Sequence, residues 1–145
     1  MRLKKHTDYA LRVLMLAGSK EDNALTNIKE IADTYSISVE HVRKVVFQLN
    51  KLGFIQTSRG RNGGLKLAQD PQDINIGKVV RLMEDDFVIL ECFNRETNQC
   101  ILSPACKLKH ALNKALLAFL QVLDDYTLAD VIENQVDLRS LMDFS

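Results

Sequence analysis

The sequence predicts a mainly α-helical protein with one small β-hairpin, and three patterns support that fold class. Apolar residues recur at helical spacing in several segments of the chain. Two short stretches of alternating apolar residues flank a glycine-rich turn near residues 58–63. A long segment after Pro104 is apolar on much of its circumference and suits a helix. With 145 residues, the chain is long enough for one domain with a hydrophobic core.

Three helices are predicted in the first third of the chain. The first spans residues 7–18, with Thr7 as its cap. The second begins near Thr26, and the third spans residues 38–52. Residues 35–37 separate the second helix from the third, which is the length of a helix-turn-helix connection.

The third helix is the candidate DNA-reading helix. Its buried stripe is predicted at Val42, Val45, Val46 and Leu49. The polar residues near its start suit base edges and phosphates, and they are Ser38, Glu40, His41, Arg43 and Lys44. The alternative is an ordinary surface helix whose charges are solvated.

A basic hairpin follows the three helices. Strands are predicted at residues 53–57 and 64–68, joined by an Asn-Gly turn, and a further helix at residues 74–83. Three helices followed by a basic hairpin predict a winged helix-turn-helix domain over residues 1–83 that binds double-stranded operator DNA. The hairpin residues expected to contact DNA are Arg59, Arg61, Asn62 and Gly63.

Charge is distributed unevenly along a chain of zero net charge. Residues 1–80 hold 13 basic and 8 acidic side chains, whereas residues 81–145 hold 6 basic and 11 acidic side chains. A basic first half suits a polyanionic partner, although a swing of this size also arises by chance. The sequence contains no apolar run long enough for a membrane span and no signal-peptide core, so a cytoplasmic protein is expected.

Residues 104–145 are predicted to form a dimerisation helix and a helical tail. The helix begins at Ser103 or Pro104 and ends near Asp124. Its apolar seam consists of Leu108, Leu112, Ala115, Phe119 and Val122. Such a face predicts a homodimer, with packing inside the chain as the alternative. A short amphipathic segment is predicted at residues 138–144.

All three cysteines lie in a predicted cofactor-binding loop at residues 84–106. Seven residues separate Cys92 from Cys100, and five separate Cys100 from Cys106. An odd number of cysteines argues against a disulfide framework, and the short Cys-x-x-Cys spacing of structural zinc sites is absent. A loose set of three thiolates suits an iron–sulfur cluster, while zinc and free thiols remain alternatives. The three histidines match no nucleophile or zinc motif, so no enzymatic activity is expected.

Several segments carry a resemblance to a known family. The stretch at residues 7–14, the hairpin at residues 59–64 and the three cysteines resemble the Rrf-type winged-helix regulators. The segments at residues 73–81, 103–109 and 117–130 extend the resemblance over essentially the whole chain. Within the family, the chain is most similar to the repressors that sense nitric oxide.

The resemblance implies a homodimeric repressor of nitric-oxide detoxification genes with one iron–sulfur cluster per subunit. A 4Fe-4S cluster is expected, with 2Fe-2S as the alternative. The implied ligands are Cys92, Cys100 and Cys106, with Asp8 as an oxygen ligand from the partner's first helix. Several family members have a shorter gap between the first two cysteines. Two rival functions are a sensor of iron–sulfur status or oxidation with the same fold, and a structural zinc module that binds a partner protein.

Overall fold

The structure is a computed structural model, and it describes residues 1–142 of the chain. The helices are α1 (Lys5–Gly18), α2 (Ile28–Tyr35), α3 (Val39–Lys51), α4 (Ile76–Met83), α5 (Lys107–Asp124), α6 (Leu128–Val131) and α7 (Gln135–Met142). Two antiparallel strands, β1 (Ile55–Ser58) and β2 (Gly64–Leu67), form the hairpin. The mainly helical fold with one hairpin is therefore confirmed. Phe144, at the end of the predicted amphipathic segment, lies outside the described residues.

Helices α1, α2 and α3 and the hairpin enclose the main hydrophobic core. The predicted stripe of α3 is confirmed, since Val42, Val45, Val46 and Leu49 are all buried. Leu14 on α1 and Ile31 on α2 are fully buried in the same cluster. The predicted cap at Thr7 is wrong. Helix α1 begins at Lys5, and Thr7 is fully buried within its first turn, where its hydroxyl has no hydrogen-bond partner among the described residues.

The predicted hairpin is present, but Asn62 and Gly63 do not adopt the positive φ values of the tight turn that an Asn-Gly pair favours. Ser58 pairs with Gly64, so residues 59–63 form a five-residue loop. Gly60 adopts a φ of 100°, which favours glycine, and Asn62 does not have a positive φ. The amide of Gly63 donates to the carbonyl of Gly60 at 3.0 Å and closes the loop. The side chains at the tip are therefore presented on a loop wider than a tight turn.

The chain after α5 returns to the main core. Leu128 and Ile132 are buried in the same cluster as the winged-helix residues. The amide of Leu128 donates to the carbonyl of Ile74 at 2.8 Å, and the amide of Ile76 donates to the carbonyl of Tyr126 at 2.9 Å. Helix α6 is thus fastened to the start of α4 rather than held apart as a separate tail.

Helix α5 is long and sparsely buried. It begins at Lys107, later than predicted, because Pro104 lies in a separate 3₁₀ turn, Ser103–Ala105, that precedes it. Of its 18 residues, only Leu116 and Leu120 are buried. They form a second, smaller cluster with Val80 of α4. None of the helices in the described part of the chain could span a membrane.

Candidate functional site

The start of α3 is organised by its cap. Ser38 has an extended backbone, and its Oγ accepts a hydrogen bond from the amide of His41 at 3.2 Å. Ser36 closes the preceding turn in the left-handed region at φ 54°, and this turn aims α3 away from α2. Ser38 is therefore exposed at the helix N-terminus, where the orphan amides and the helix dipole attract a phosphate.

The outward face of α3 carries the predicted cations. Arg43 and Lys44 are both exposed, and Arg43 forms an ion pair with Glu40 one turn earlier. The pair lies in solvent, where such contacts contribute roughly 0–1 kcal/mol. Because so little free energy holds it, Arg43 can exchange Glu40 for a base edge or a phosphate.

His41 is placed differently from the other predicted DNA contacts. It is half-buried against α1, with its ring 4.6 Å from Tyr9 edge-on and 6.0 Å from His6 in a stacked arrangement. Burial lowers the pKa of His41, and the nearby charges of His6, Lys44 and Lys5 lower it further. His41 therefore contributes contacts between α1 and α3, in addition to its predicted contact with DNA.

The tip of the hairpin is a basic, exposed loop. Arg59, Arg61 and Asn62 are all exposed, and no hydrogen bond or ion pair is formed by these side chains within the described residues. Gly63 is half-buried, and a Cβ there would lie 2.3 Å from the carbonyl oxygen of Ser58. Gly63 thus shapes the loop, whereas the two arginines supply its charge.

The three cysteines lie on an irregular segment between α4 and α5. Cys92 is in the 3₁₀ turn Glu91–Phe93, and Cys106 immediately precedes α5. All three are half-buried and unpaired, so the segment contains no disulfide. The described residues contain no group of three or more His, Cys, Asp or Glu side chains gathered closely enough to hold one metal ion.

The seven-residue gap between the first two cysteines is folded back on itself. The carboxylate of Glu91 accepts a hydrogen bond from the amide of Gln99 at 3.3 Å, which joins the residues that precede Cys92 and Cys100. Asn98 accepts from the amide of Cys100 at 3.0 Å and donates to the hydroxyl of Ser103 at 2.7 Å. Asparagine side chains often form turns of this kind, so Asn98 is the sequence signal that could have predicted that residues 93–99 fold back.

Both ends of the cysteine segment are anchored. Phe93, beside Cys92, packs against the small cluster around Leu116, together with Leu11 of α1. At the other end, the sulfur of Cys106 accepts a hydrogen bond from the amide of Lys109 at 3.3 Å and caps α5. Cys106 therefore ends the cysteine segment and caps α5 at once, which determines where its sulfur lies.

Asp8 is engaged in its own chain. Its carboxylate accepts two hydrogen bonds from Arg12, at 2.9 and 3.1 Å, and its side chain is 45% exposed. The guanidinium of Arg12 also lies 5.6 Å from the ring of Tyr9 and 5.8 Å from the ring of Tyr35. Within the described chain, Asp8 and the cysteines are not gathered closely enough to hold one metal ion.

Comparison with known sequences identifies close relatives. The profile of the Rrf2 family, described as an iron-dependent transcriptional regulator, matches residues 3–134. Two relatives named HTH-type transcriptional regulator NsrR are each 58% identical over 142 residues. For the Oceanobacillus iheyensis protein the match covers 98% of this chain and 97% of the relative. For the Bacillus licheniformis protein it covers 98% of this chain and 99% of the relative.

Comparison with solved structures gives the same fold. The oxidised form of Staphylococcus aureus CymR matches with a TM-score of 0.74 at 24% identity, over 92% of this chain and 97% of that chain. At this identity the likeness concerns the fold alone. Because the sequence relatives are named transcriptional regulators, the prediction that the chain is not an enzyme is confirmed.

Proposed function

Because the chain belongs to the Rrf2 family of transcriptional regulators, as its resemblance predicted, we propose that it is a nitric-oxide-responsive repressor. It acts in the cytoplasm as a homodimer, carries an iron–sulfur cluster and binds operator DNA through α3 and the hairpin. The observation that carries this proposal is the cysteine segment, which holds three unpaired thiols between the DNA-reading domain and α5.

The donor set fits an iron–sulfur cluster. Cys92, Cys100 and Cys106 are thiols, the ligand type of such clusters, and all three are half-buried and free. Asp8 of the partner subunit would supply an oxygen donor, for which it must share or leave Arg12. When bound, the cluster supplies iron that nitric oxide can attack. A 4Fe-4S cluster leaves one iron without a thiolate, and 2Fe-2S remains the alternative.

The described contacts offer a route from the cysteine segment to α3. Two acidic residues at the start of this segment contact Lys4, near the N-terminus. The amide of Lys4 donates to Glu84 at 2.8 Å, and Nζ of Lys4 lies 2.8 Å from the carboxylate of Asp85. The hydrogen bond with Lys4 lowers the pKa of Asp85. Lys4 directly precedes α1, so a shift of residues 84–85 moves the start of α1.

Helix α1 passes such a shift to the DNA-reading helix. Nε2 of His6 lies 2.6 Å from the side-chain oxygen of Gln48 on α3, and the ring of Tyr9 contacts His41. Both contacts belong to the first two turns of α1, which follow Lys4 directly. A displacement of these turns changes how α3 is held, and two reading helices must keep a separation of about one DNA turn to bind both half-sites.

An exposed apolar face of α5 supports the homodimer. Leu108 and Val122, two residues of the predicted seam that lie on one side of the helix, are 63% and 56% exposed. Ile101 and Leu102, between the last two cysteines, are also exposed. A second copy would cover this surface and bring its own α1 towards the cysteine segment.

The test measures cofactor content and DNA binding together. Protein purified without oxygen should contain iron and sulfide, and Cys92→Ser, Cys100→Ser and Cys106→Ser should each lose them. Thr97→Ala, an exposed change in the same segment, is the matched control. Nitric oxide should release the wild-type protein from operator DNA while the cluster absorbance changes. Equal operator affinity with and without the cluster would contradict the proposal.

The same preparation separates the rival functions. A regulator of the same fold that senses oxidation would lose DNA on exposure to oxygen and ignore nitric oxide. A structural zinc module would contain zinc, with neither iron nor sulfide. The description of the family as iron-dependent favours iron over zinc.

A further inference from the structure

Phe47 is a large apolar side chain in the middle of the outward face of α3. It is 71% exposed, while the other phenylalanines of the described chain, Phe54, Phe87, Phe93 and Phe119, are buried or half-buried. We propose that Phe47 packs on the methyl group of a thymine in the major groove and thereby sets part of the DNA sequence preference. This inference rests on the proposed DNA-binding function.

The position of Phe47 follows from the geometry of the helix. The buried stripe of α3 consists of Val42, Val45, Val46 and Leu49. At about 3.6 residues per turn, Glu40 and Phe47 lie directly opposite the centre of that stripe. Arg43 and Lys44 precede Phe47 by four and three residues, so they flank it on the helix surface. A groove that receives Arg43 and Lys44 also receives Phe47.

The chemistry of the face favours DNA over a protein partner. A protein-docking surface needs a contiguous apolar patch, whereas the helix-surface neighbours of Phe47 include the exposed cations Arg43, Lys44 and Lys51. In the major groove, the C5-methyl of thymine is the apolar group that distinguishes one base from another, and phenylalanine is among the side chains that contact it. Phe47 cannot donate or accept a hydrogen bond, so it selects for this methyl group rather than for a polar base edge.

The spacing also locates the thymine. Four residues of helix advance by about 6 Å, and base pairs are stacked about 3.4 Å apart. The thymine contacted by Phe47 is therefore about two base pairs from the base contacted by Arg43. A twofold-symmetric dimer would place one such thymine in each half-site.

The experiment removes the methyl group and the ring separately. Cluster-loaded protein would first select duplexes from a random DNA pool. Each thymine of the selected duplex would then be replaced by deoxyuridine, and affinities would be measured by fluorescence anisotropy at fixed salt. For wild-type protein we expect a loss of about fourfold at one thymine per half-site. Phe47→Ala should bind the unmodified duplex less tightly and be insensitive to deoxyuridine at that thymine.

A matched control excludes a general effect of removing exposed apolar surface. Val136→Ala changes a side chain that is 79% exposed on α7, and it should leave both measurements unchanged. The proposal is overturned if Phe47→Ala keeps wild-type affinity or remains sensitive to deoxyuridine at the same thymine. If wild-type protein selects no DNA sequence at all, the proposed function fails and this inference fails with it. If wild-type protein selects DNA and Arg59→Ala weakens binding, but Phe47→Ala keeps wild-type affinity, the proposed DNA-binding function stands and only the inference about Phe47 fails.

Discussion

The winged-helix half of the chain, made of α1 to α4, the hairpin and α6, differs in burial from the cysteine half, made of residues 84–106 and α5. Helices α1 to α4, the hairpin and α6 share one continuous core, in which Leu14, Leu49 and Ile74 are fully buried. The cysteine segment and α5 share a cluster of only three buried residues, Val80, Leu116 and Leu120. The first half has enough buried surface to hold its shape in a single chain. The second half has much less buried surface, so the proposed second subunit and cofactor would stabilise this half more than the first.

The largest effect is expected from a substitution in the core of the well-buried half. Leu49→Ala removes a fully buried side chain of α3 and should lower the free energy of unfolding by about 2–5 kcal/mol. Chemical denaturation followed by circular dichroism measures this loss. Leu108→Ala, at a position that is 63% exposed, is the control and should cost far less. Similar losses for the two variants would show that the halves do not differ as described.

The next effect concerns the junction between the halves. A Cβ on Gly77 of α4 would lie 2.8 Å from the backbone nitrogen and 2.9 Å from the Cα of Asp124 at the end of α5. Gly77→Ala therefore forces α4 and α5 apart and should cost about 1–3 kcal/mol in thermal unfolding. Lys78→Ala, an exposed neighbour, should be neutral. An unchanged melting temperature for Gly77→Ala would show that α4 and α5 can move apart with no loss of stability.

A third change addresses the sparsely buried half alone. Val122→Glu places a charge on the exposed face of α5 that contains Leu108, at a position where the valine is 56% exposed. It should leave the stability of the single chain within about 0.5 kcal/mol of wild type but convert the proposed dimer to monomer in sedimentation experiments. Lys114→Glu, which changes an exposed charged residue of α5, is the control. A Val122→Glu protein that sediments as a dimer would show that this face is not part of the interface.

The smallest expected effect is a pH dependence of stability within the winged-helix half. The pKa of His41 is lowered by burial and by the neighbouring charges of His6, Lys44 and Lys5. The unfolded chain therefore binds a proton at higher pH than the folded chain does. Stability contributed by neutral His41 is present above the ordinary histidine pKa of about 6.5 and is lost as the pH falls below it.

Urea unfolding at about pH 7 and about pH 5 brackets that loss. His41→Gln should show a smaller decrease between the two pH values than wild type. His110→Gln removes an exposed histidine of α5 and should behave like wild type. An equal decrease in wild type and His41→Gln would assign the pH dependence to other groups.

The sequence determined the parts of the molecule that depend on local periodicity and short-range chemistry. The stripe of α3 at Val42, Val45, Val46 and Leu49 follows from helical spacing, and the cap at Ser38 follows from its side-chain oxygen. These features could be predicted because each one is set by residues within a few positions of one another.

The contacts between distant segments became known from the folded structure alone. The return of Leu128 and Ile132 to the main core, and the contact between Lys4 and Glu84, join residues far apart in the chain. The five-residue hairpin loop and the link from Glu91 to Gln99 depend on strand register and on a side chain that bridges a gap. Sequence periodicity carries no information about such pairings, because they are selected by packing and hydrogen bonding in the folded chain.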